Sequence, residues 1–167
     1  MKDDYTRTTR RVSVAAIVTP LREASARAAR VVDVEDLDVQ ASLLIETHSV
    51  KSRAAGFFAR VLGGDGDREH WTVLAVTPRA VIVGTHGETR GTWVRALPTD
   101  TLELEAVPAI GGEMTARTLL LASPVLASLG PSGEPTRVGS YPLVLATAAD
   151  ADDAKRAIES AIASRRS

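Results

Sequence analysis

Apolar positions along the chain follow two different periods, and the switch between them separates an N-terminal helical segment from a strand-rich body. Leu21, Ala24, Ala28 and Val31 recur at helical spacing behind Thr19-Pro20, an N-cap residue followed by the residue favoured at the first helical position, which predicts a helix over 20–31. From residue 41 the period changes. Ala41 to Val50 reads as a strand, and Arg53 to Leu62 as a short helix with Phe57, Phe58, Val61 and Leu62 on one side, stopped by Gly63-Gly64. Trp71–Thr77, Ala80–Thr85 and Gly91–Leu97 are strand-length runs separated by Thr77-Pro78-Arg79 and His86-Gly87-Glu88, the pattern of an antiparallel meander. Leu102, Leu104 and Ala106 alternate with Glu103 and Glu105, so this strand has one wet face. Thr118 to Leu129 fits a strand plus a helical turn or one broken helix, and Tyr141 to Thr147 fits a strand with Pro142 near its start.

The last helix is the best specified. Asp150 is placed as its N-cap, Asp152 and Asp153 in the first turn and Arg165 and Arg166 in the last agree with the helix dipole, and Ala154, Ala157, Ile158, Ala161 and Ile162 form one apolar stripe. A strand-rich body ending in one amphipathic helix predicts a mainly β domain, a curled antiparallel sheet whose open end the helix plugs. The expected division is an N-terminal arm and helix over 1–40 and the β domain over 41–167. Residues 1–11, charged and Thr-rich, read as a frayed or docking terminus, Val12–Ala15 as the start of a strand, and Asp33, Glu35, Asp36 and Asp38 as a solvated connection.

Leu74-Ala75-Val76-Thr77-Pro78-Arg79-Ala80-Val81-Ile82-Val83, the step Ala96-Leu97-Pro98-Thr99-Asp100-Thr101-Leu102-Glu103-Leu104 and the closing helix from Asp150 resemble the bacterial pleckstrin-homology-like (PH-like) families. The resemblance covers about 41–166 and leaves the N-terminal helix outside. It implies a partly open antiparallel barrel with a C-terminal helix, used to bind lipids, peptides or protein surfaces. Lipid-binding members carry basic side chains on their first two strands and the loop between, where this sequence offers Lys51, Arg53, Arg60 and Arg68, interrupted by Asp65, Asp67 and Glu69.

Composition narrows the function more than it identifies it. The net charge of -1 supplies no global field toward nucleic acid or anionic lipid, so a basic recognition surface has to be local and nucleic acid is not an expected partner. The absence of cysteine removes disulfides, thiolate metal sites and thiol nucleophiles together. Of 20 basic residues only Lys2, Lys51 and Lys155 are lysines, and Asn is absent, a usage that codon bias produces without phosphate recognition. The polar start Met1–Tyr5 lacks the apolar stretch of a secretory signal, and the uncharged run Thr118–Gly133 is short and broken by Pro124 and Pro131, which predicts a cytoplasmic protein.

No constellation in the sequence carries a reaction. Gly63-Gly64-Asp65-Gly66-Asp67 lacks the Lys-Ser/Thr of a phosphate loop and the spaced carboxylates of a calcium loop. His48, His70 and His86 match no ligand spacing, Ser123, Ser128 and Ser140 lie outside any nucleophile elbow, and Glu103 and Glu105 alternate as a wet strand face requires. Trp71 and Trp93, on adjacent strands, are expected in the core. Phe57 and Phe58, flanked by Arg53 and Arg60, form either a docking wedge or core over one end of the sheet. The expectation is a noncatalytic binding or scaffolding module without cofactor or metal that docks a protein partner or self-associates, with peripheral binding to anionic headgroups as the alternative. Lys51, Arg53, Phe57, Phe58, Arg60 and Arg68 are the candidate contact residues.

Overall fold

The computed structural model describes residues 5–51, 67–109, 112–123, 128–129, 135–136 and 140–166. Five antiparallel strands in the order β1-β2-β3-β4-β5 form the main sheet: β1 (Tyr5–Arg11), β2 (Leu43–Lys51), β3 (Glu69–Val76), β4 (Ala80–Gly87) and β5 (Gly91–Pro98). A second sheet has the order β10-β7-β6, with β6 (Glu103–Glu105), β7 (Thr118–Ala122) and β10 (Tyr141–Val144), and β8 (Ser128–Leu129) pairs with β9 (Pro135–Thr136). The helices among the described residues are α1 (Thr19–Val31), α2 (Leu37–Gln40), α3 (Gly112–Ala116) and α4 (Ala148–Arg166). The architecture is therefore mixed β and α, two antiparallel sheets with a C-terminal helix, and among the described residues the sheets do not close into a barrel.

Cross-strand pairing fixes which residues share a face, because side chains alternate along each strand. Leu43, Ile45, Leu74, Val76, Val81, Val83 and Leu97 point inward with Leu119, Leu121 and Leu143 of the second sheet, and Ala151, Ala154, Ile158 and Ala161 of α4 complete that core. The opposite face carries Leu44, Val73, Ala75 and Ile82, covered by Leu21 and Ala29 of α1 and by Val34 and Leu37. The layers run α1, main sheet, then second sheet with α4. Tyr141, at the start of β10, meets Trp93 of β5, whereas the Ala146 N–H donates to Thr9 Oγ1 of β1 at 3.0 Å. Crossing five strands takes about 19 Å and residues 141–146 extend about 17 Å, so β10 runs across the main sheet, the steep packing that curls a sandwich.

Several local expectations change. Residues 5–11 are a paired strand and not a frayed end: Tyr5 faces Lys51 and Arg11 faces Ile45 in one uninterrupted register. The first 40 residues thus supply the edge strand of the main sheet and the helix on its face. The strand expected from Val12 is a 3-10 turn over Val14–Ala16. Helix α1 is capped by Val18, one residue earlier than expected, with Pro20 in its first turn. It ends in a Schellman arrangement: Val34 N–H donates to Ala29 C=O at 2.9 Å and Asp33 N–H to Arg30 C=O at 3.2 Å, with Asp33 in the left-handed region at φ 56. The acidic connection is also more structured than expected, since Asp36 accepts from the N–H groups of Asp38 and Val39 and so caps α2. Asp150 is not the N-cap of α4 but its capping-box partner: Thr147 N–H donates to Asp150 Oδ2 at 3.0 Å and Asp150 N–H donates to Thr147 Oγ1 at 3.1 Å. The short helix expected over Arg53–Leu62 lies outside the described residues.

Candidate functional site: a cation and aromatic end of the main sheet

Strand β2 ends at Lys51 and β3 begins at Glu69, and the described residues on either side of 52–66 are anchored in one place. Lys51 N–H donates to Arg68 C=O at 2.8 Å, so two of the candidate contact residues are joined through the backbone. Opposite Lys51 stands Tyr5, whose ring carries the Lys51 ammonium at 5.7 Å and the Arg7 guanidinium at 5.4 Å from its centroid. The Tyr5 hydroxyl donates to Asp67 C=O at 3.2 Å, and its ring meets the buried His70 imidazole edge to face at 5.0 Å. Alternation puts Tyr5, Arg7, Lys51 and His70 on the inward face at the strand ends.

Asp67 organises the neighbouring hairpin. Its buried carboxylate accepts from Thr89 N–H and from Arg90 Nε, both at 2.6 Å, which ties the segment leading into β3 to the turn between β4 and β5. That turn has a three-residue loop, Glu88-Thr89-Arg90, closed by Gly91 at φ 70, a conformation that glycine adopts without strain. Gly87 is required for a different reason: a Cβ there would sit 2.2 Å from Asp67 Oδ2. Burial by itself would push the Asp67 carboxyl up, but the Thr89 N–H, the Arg90 hydrogen bond, the Thr89 side chain and the Arg90 charge together hold it below its ordinary 3.8.

The same face continues to β5, where Trp93 packs edge to face on Tyr141 at 5.1 Å and Arg95 lies over Trp93 at 5.6 Å. Burial pushes the Tyr141 phenol up to about 12 against the opposing charges of Arg90 and Arg95. Two of the nearby acids are engaged elsewhere: Asp67 is buried against Arg90, and Glu69 lies on the other face, hydrogen-bonded to His48 Nε2. Of the acidic residues that interrupt the basic run in the sequence, these two therefore do not offset Lys51 and Arg68.

The three histidines do not converge. His48, Trp71 and His86 form a row on the α1 face, with His48 stacked on Trp71 at 4.9 Å and His86 at 6.1 Å on its other side, while His70 is on the inward face. Trp71 on β3 and Trp93 on β5 are separated by β4 and so are not on adjacent strands; both are half-buried, on opposite faces, and Trp71 packs against the core on the α1 face as expected. Glu103 and Glu105 are both exposed, and Glu105 accepts from Ser140. Arg53, Phe57, Phe58 and Arg60 lie outside the described residues. Tyr5, Arg7, Arg90 and Arg95 join the site from distant parts of the chain, and no sequence spacing connects them to Lys51. Compared with protein-family models, curated proteins and solved structures, the chain has no match.

Proposed function

We propose that the chain is a noncatalytic docking module with a PH-like arrangement of sheets and helix, which takes up a protein partner at the strand end built around Tyr5. One observation carries the reading: Arg7 and Lys51 gather on the Tyr5 ring next to Arg68, while Asp67 and Glu69 are turned into contacts elsewhere. A surface of fixed aromatic and cationic groups is the composition of an interface anchor, and it fits an acidic partner surface. Because the chain has no cysteine, one thiol can be placed at will. Val50→Cys, exposed beside this end, and Val39→Cys, exposed on α2, would each carry a photo-crosslinker in the producing cell. The expected result is one discrete adduct from Val50→Cys alone, lost on adding Arg7→Glu and Lys51→Glu. Equal adducts from both positions, or an adduct indifferent to the charge reversals, would refute the reading.

A second reading, peripheral binding to anionic headgroups, is favoured by the position of Arg7, Lys51 and Arg68 at one end of the sheet, next in sequence to the segment that contains Arg53, Phe57, Phe58 and Arg60. Vesicles of phosphatidylcholine with and without phosphatidylserine, sedimented with the protein across a salt series, separate the two. Binding only to the anionic vesicles, weakened by salt and by Arg53→Ala with Arg60→Ala, supports the membrane. Equal recovery with neutral vesicles, or none with either, counts against it.

A further inference from the structure

The two edges of the main sheet differ. β1 is lined with Arg7, Arg10 and Arg11, and its Thr9 side chain holds the segment after β10, so this edge is charged and partly covered. Among the described residues β5 is less protected, with Arg95 as its one charged side chain. Its pairing with β4 runs without a bulge from Gly91 to Pro98, its one proline is the last residue, and it contains no lysine. Among the described residues no backbone group joins its outer side. Residues 91–96 are half-buried or exposed, whereas β4 beside it is buried along nearly its whole length.

The register shows which groups of β5 face outward. A Cβ on Gly84 would lie 3.2 Å from Val94 Cα and 2.5 Å from Val94 Cγ2. That places this pair at the closer antiparallel spacing of about 4.5 Å, in which neither residue bonds the other through its backbone. The Val94 N–H and C=O therefore point away from β4 into the open edge. Around Val94 the strand reads Thr92-Trp93-Val94-Arg95-Ala96. Antiparallel pairing of two such strands about Val94 sets Val94 against its copy, with both N–H···O=C bonds made, and sets Trp93 of each strand against Arg95 of the other. The contact of Arg95 over Trp93 within one chain, at 5.6 Å, would be repeated across the junction.

We infer that β5 pairs with β5 of a second copy of this chain, centred on Val94, joining two five-stranded sheets into one continuous sheet. The strand is self-complementary in the sense an isologous two-fold contact requires. This extends the docking role proposed above and does not depend on the Tyr5 end, so the two can fail separately.

Size-exclusion chromatography with light scattering on the full chain tests it, together with single-cysteine oxidation. The expected mass is about twice the 17.7 kDa chain. Val94→Pro, which removes the outward N–H, and Arg95→Glu, which leaves the backbone intact, should each return it to monomer or weaken dimerisation at least tenfold. Arg95→Glu guards against a Val94→Pro variant that does not fold, and far-ultraviolet circular dichroism reports on both. Val94→Cys should oxidise to a crosslinked dimer, since directly opposed residues at about 5.5 Å lie within disulfide reach, while Val39→Cys should not. A chain that stays monomeric at the highest soluble concentration overturns the inference. So does a dimer that survives Arg95→Glu and resists crosslinking at Val94→Cys. In either case the Val50→Cys adduct expected for the Tyr5 end is unaffected, which separates failure of this inference from failure of the docking role.

Discussion

Replacing Asp67 isolates the contact that holds the candidate site together. In Asp67→Asn the side chain keeps its shape, and one oxygen can still accept from Thr89 N–H or Arg90 Nε, but not from both with full charge. Hydrogen bonds to a charged group contribute about 1.5–3 kcal/mol each, and breaking a fully buried pair costs roughly 3–5 kcal/mol. The Arg90 side chain is 31% exposed and can turn to water, so the full buried-pair cost does not apply. The expected losses are about 2 kcal/mol for Asp67→Asn and about 3 kcal/mol for Asp67→Ala. Urea unfolding followed by tryptophan fluorescence measures both, with the midpoint falling and the slope unchanged. The pH dependence has a definite sign. A carboxyl held below its ordinary value contributes stability that is complete above that value and is lost as pH falls through the folded-state pKa. The gap between wild type and Asp67→Asn should therefore stay constant from neutral pH down to about 5 and shrink only below the ordinary 3.8. Gly87→Ala supplies a cross-check: its Cβ would strike Asp67 Oδ2 at 2.2 Å, so it should cost less in an Asp67→Ala background than in wild type. An Asp67→Asn protein within about 0.5 kcal/mol of wild type, or additive Gly87 and Asp67 effects, would refute the assignment.

Two further outcomes follow from the core. In a Tyr5→Phe variant the single remaining phenol is Tyr141, and spectrophotometric titration should find it ionising near 12 and not at its ordinary 10.0; because the folded value is raised, stability should decline as pH climbs above 10.0 and level off past 12. Ile158→Ala in α4, where the side chain is fully buried against both sheets, should cost about 2–5 kcal/mol in calorimetry or urea unfolding, and a loss under 1 kcal/mol would mean that α4 is not the plug of the inner core.

The elements legible in the sequence were those whose own residues carry the burial signal. The meander from Glu69 to Pro98 stands out because apolar runs alternate with Pro and Gly turns, and α4 because its stripe repeats over three turns. Tyr5–Arg11 stayed hidden because it has no aliphatic residue: Thr and Arg form an edge strand whose stability comes from pairing with β2, and the alternation Thr6-Arg7-Thr8 was its single local cue. The start of α4 is ambiguous in the sequence because Asp150 satisfies the cap pattern on its own, and only Thr147 three residues earlier completes the box. Lys51 and Arg68 were readable as candidates from their place in the basic run. Tyr5, Arg7 and Arg90 were not, because pairing and turn geometry bring them to the site from sequence separations that no window spans.

The hydrogen bond from Ala146 to Thr9 joins residues 137 positions apart, and it belongs to the segment that crosses the main sheet from β5 to β1. Such a contact sets an order of events in biosynthesis. The edge strand β1 can pair with β2 early, but the inner face of the main sheet is covered only in part, by Leu119 and Leu121 of β7, until the last strand and α4 have been made, because Leu143, Leu145, Ala154 and Ile158 all come from the final quarter of the chain. A nascent chain that has finished the meander thus presents a formed sheet with one apolar face open. Folding should be slow for the size of the protein, since closure waits on contacts between its two ends, and chains truncated before Tyr141 should be captured by chaperones or aggregate, while truncation within residues 163–167 should be tolerated.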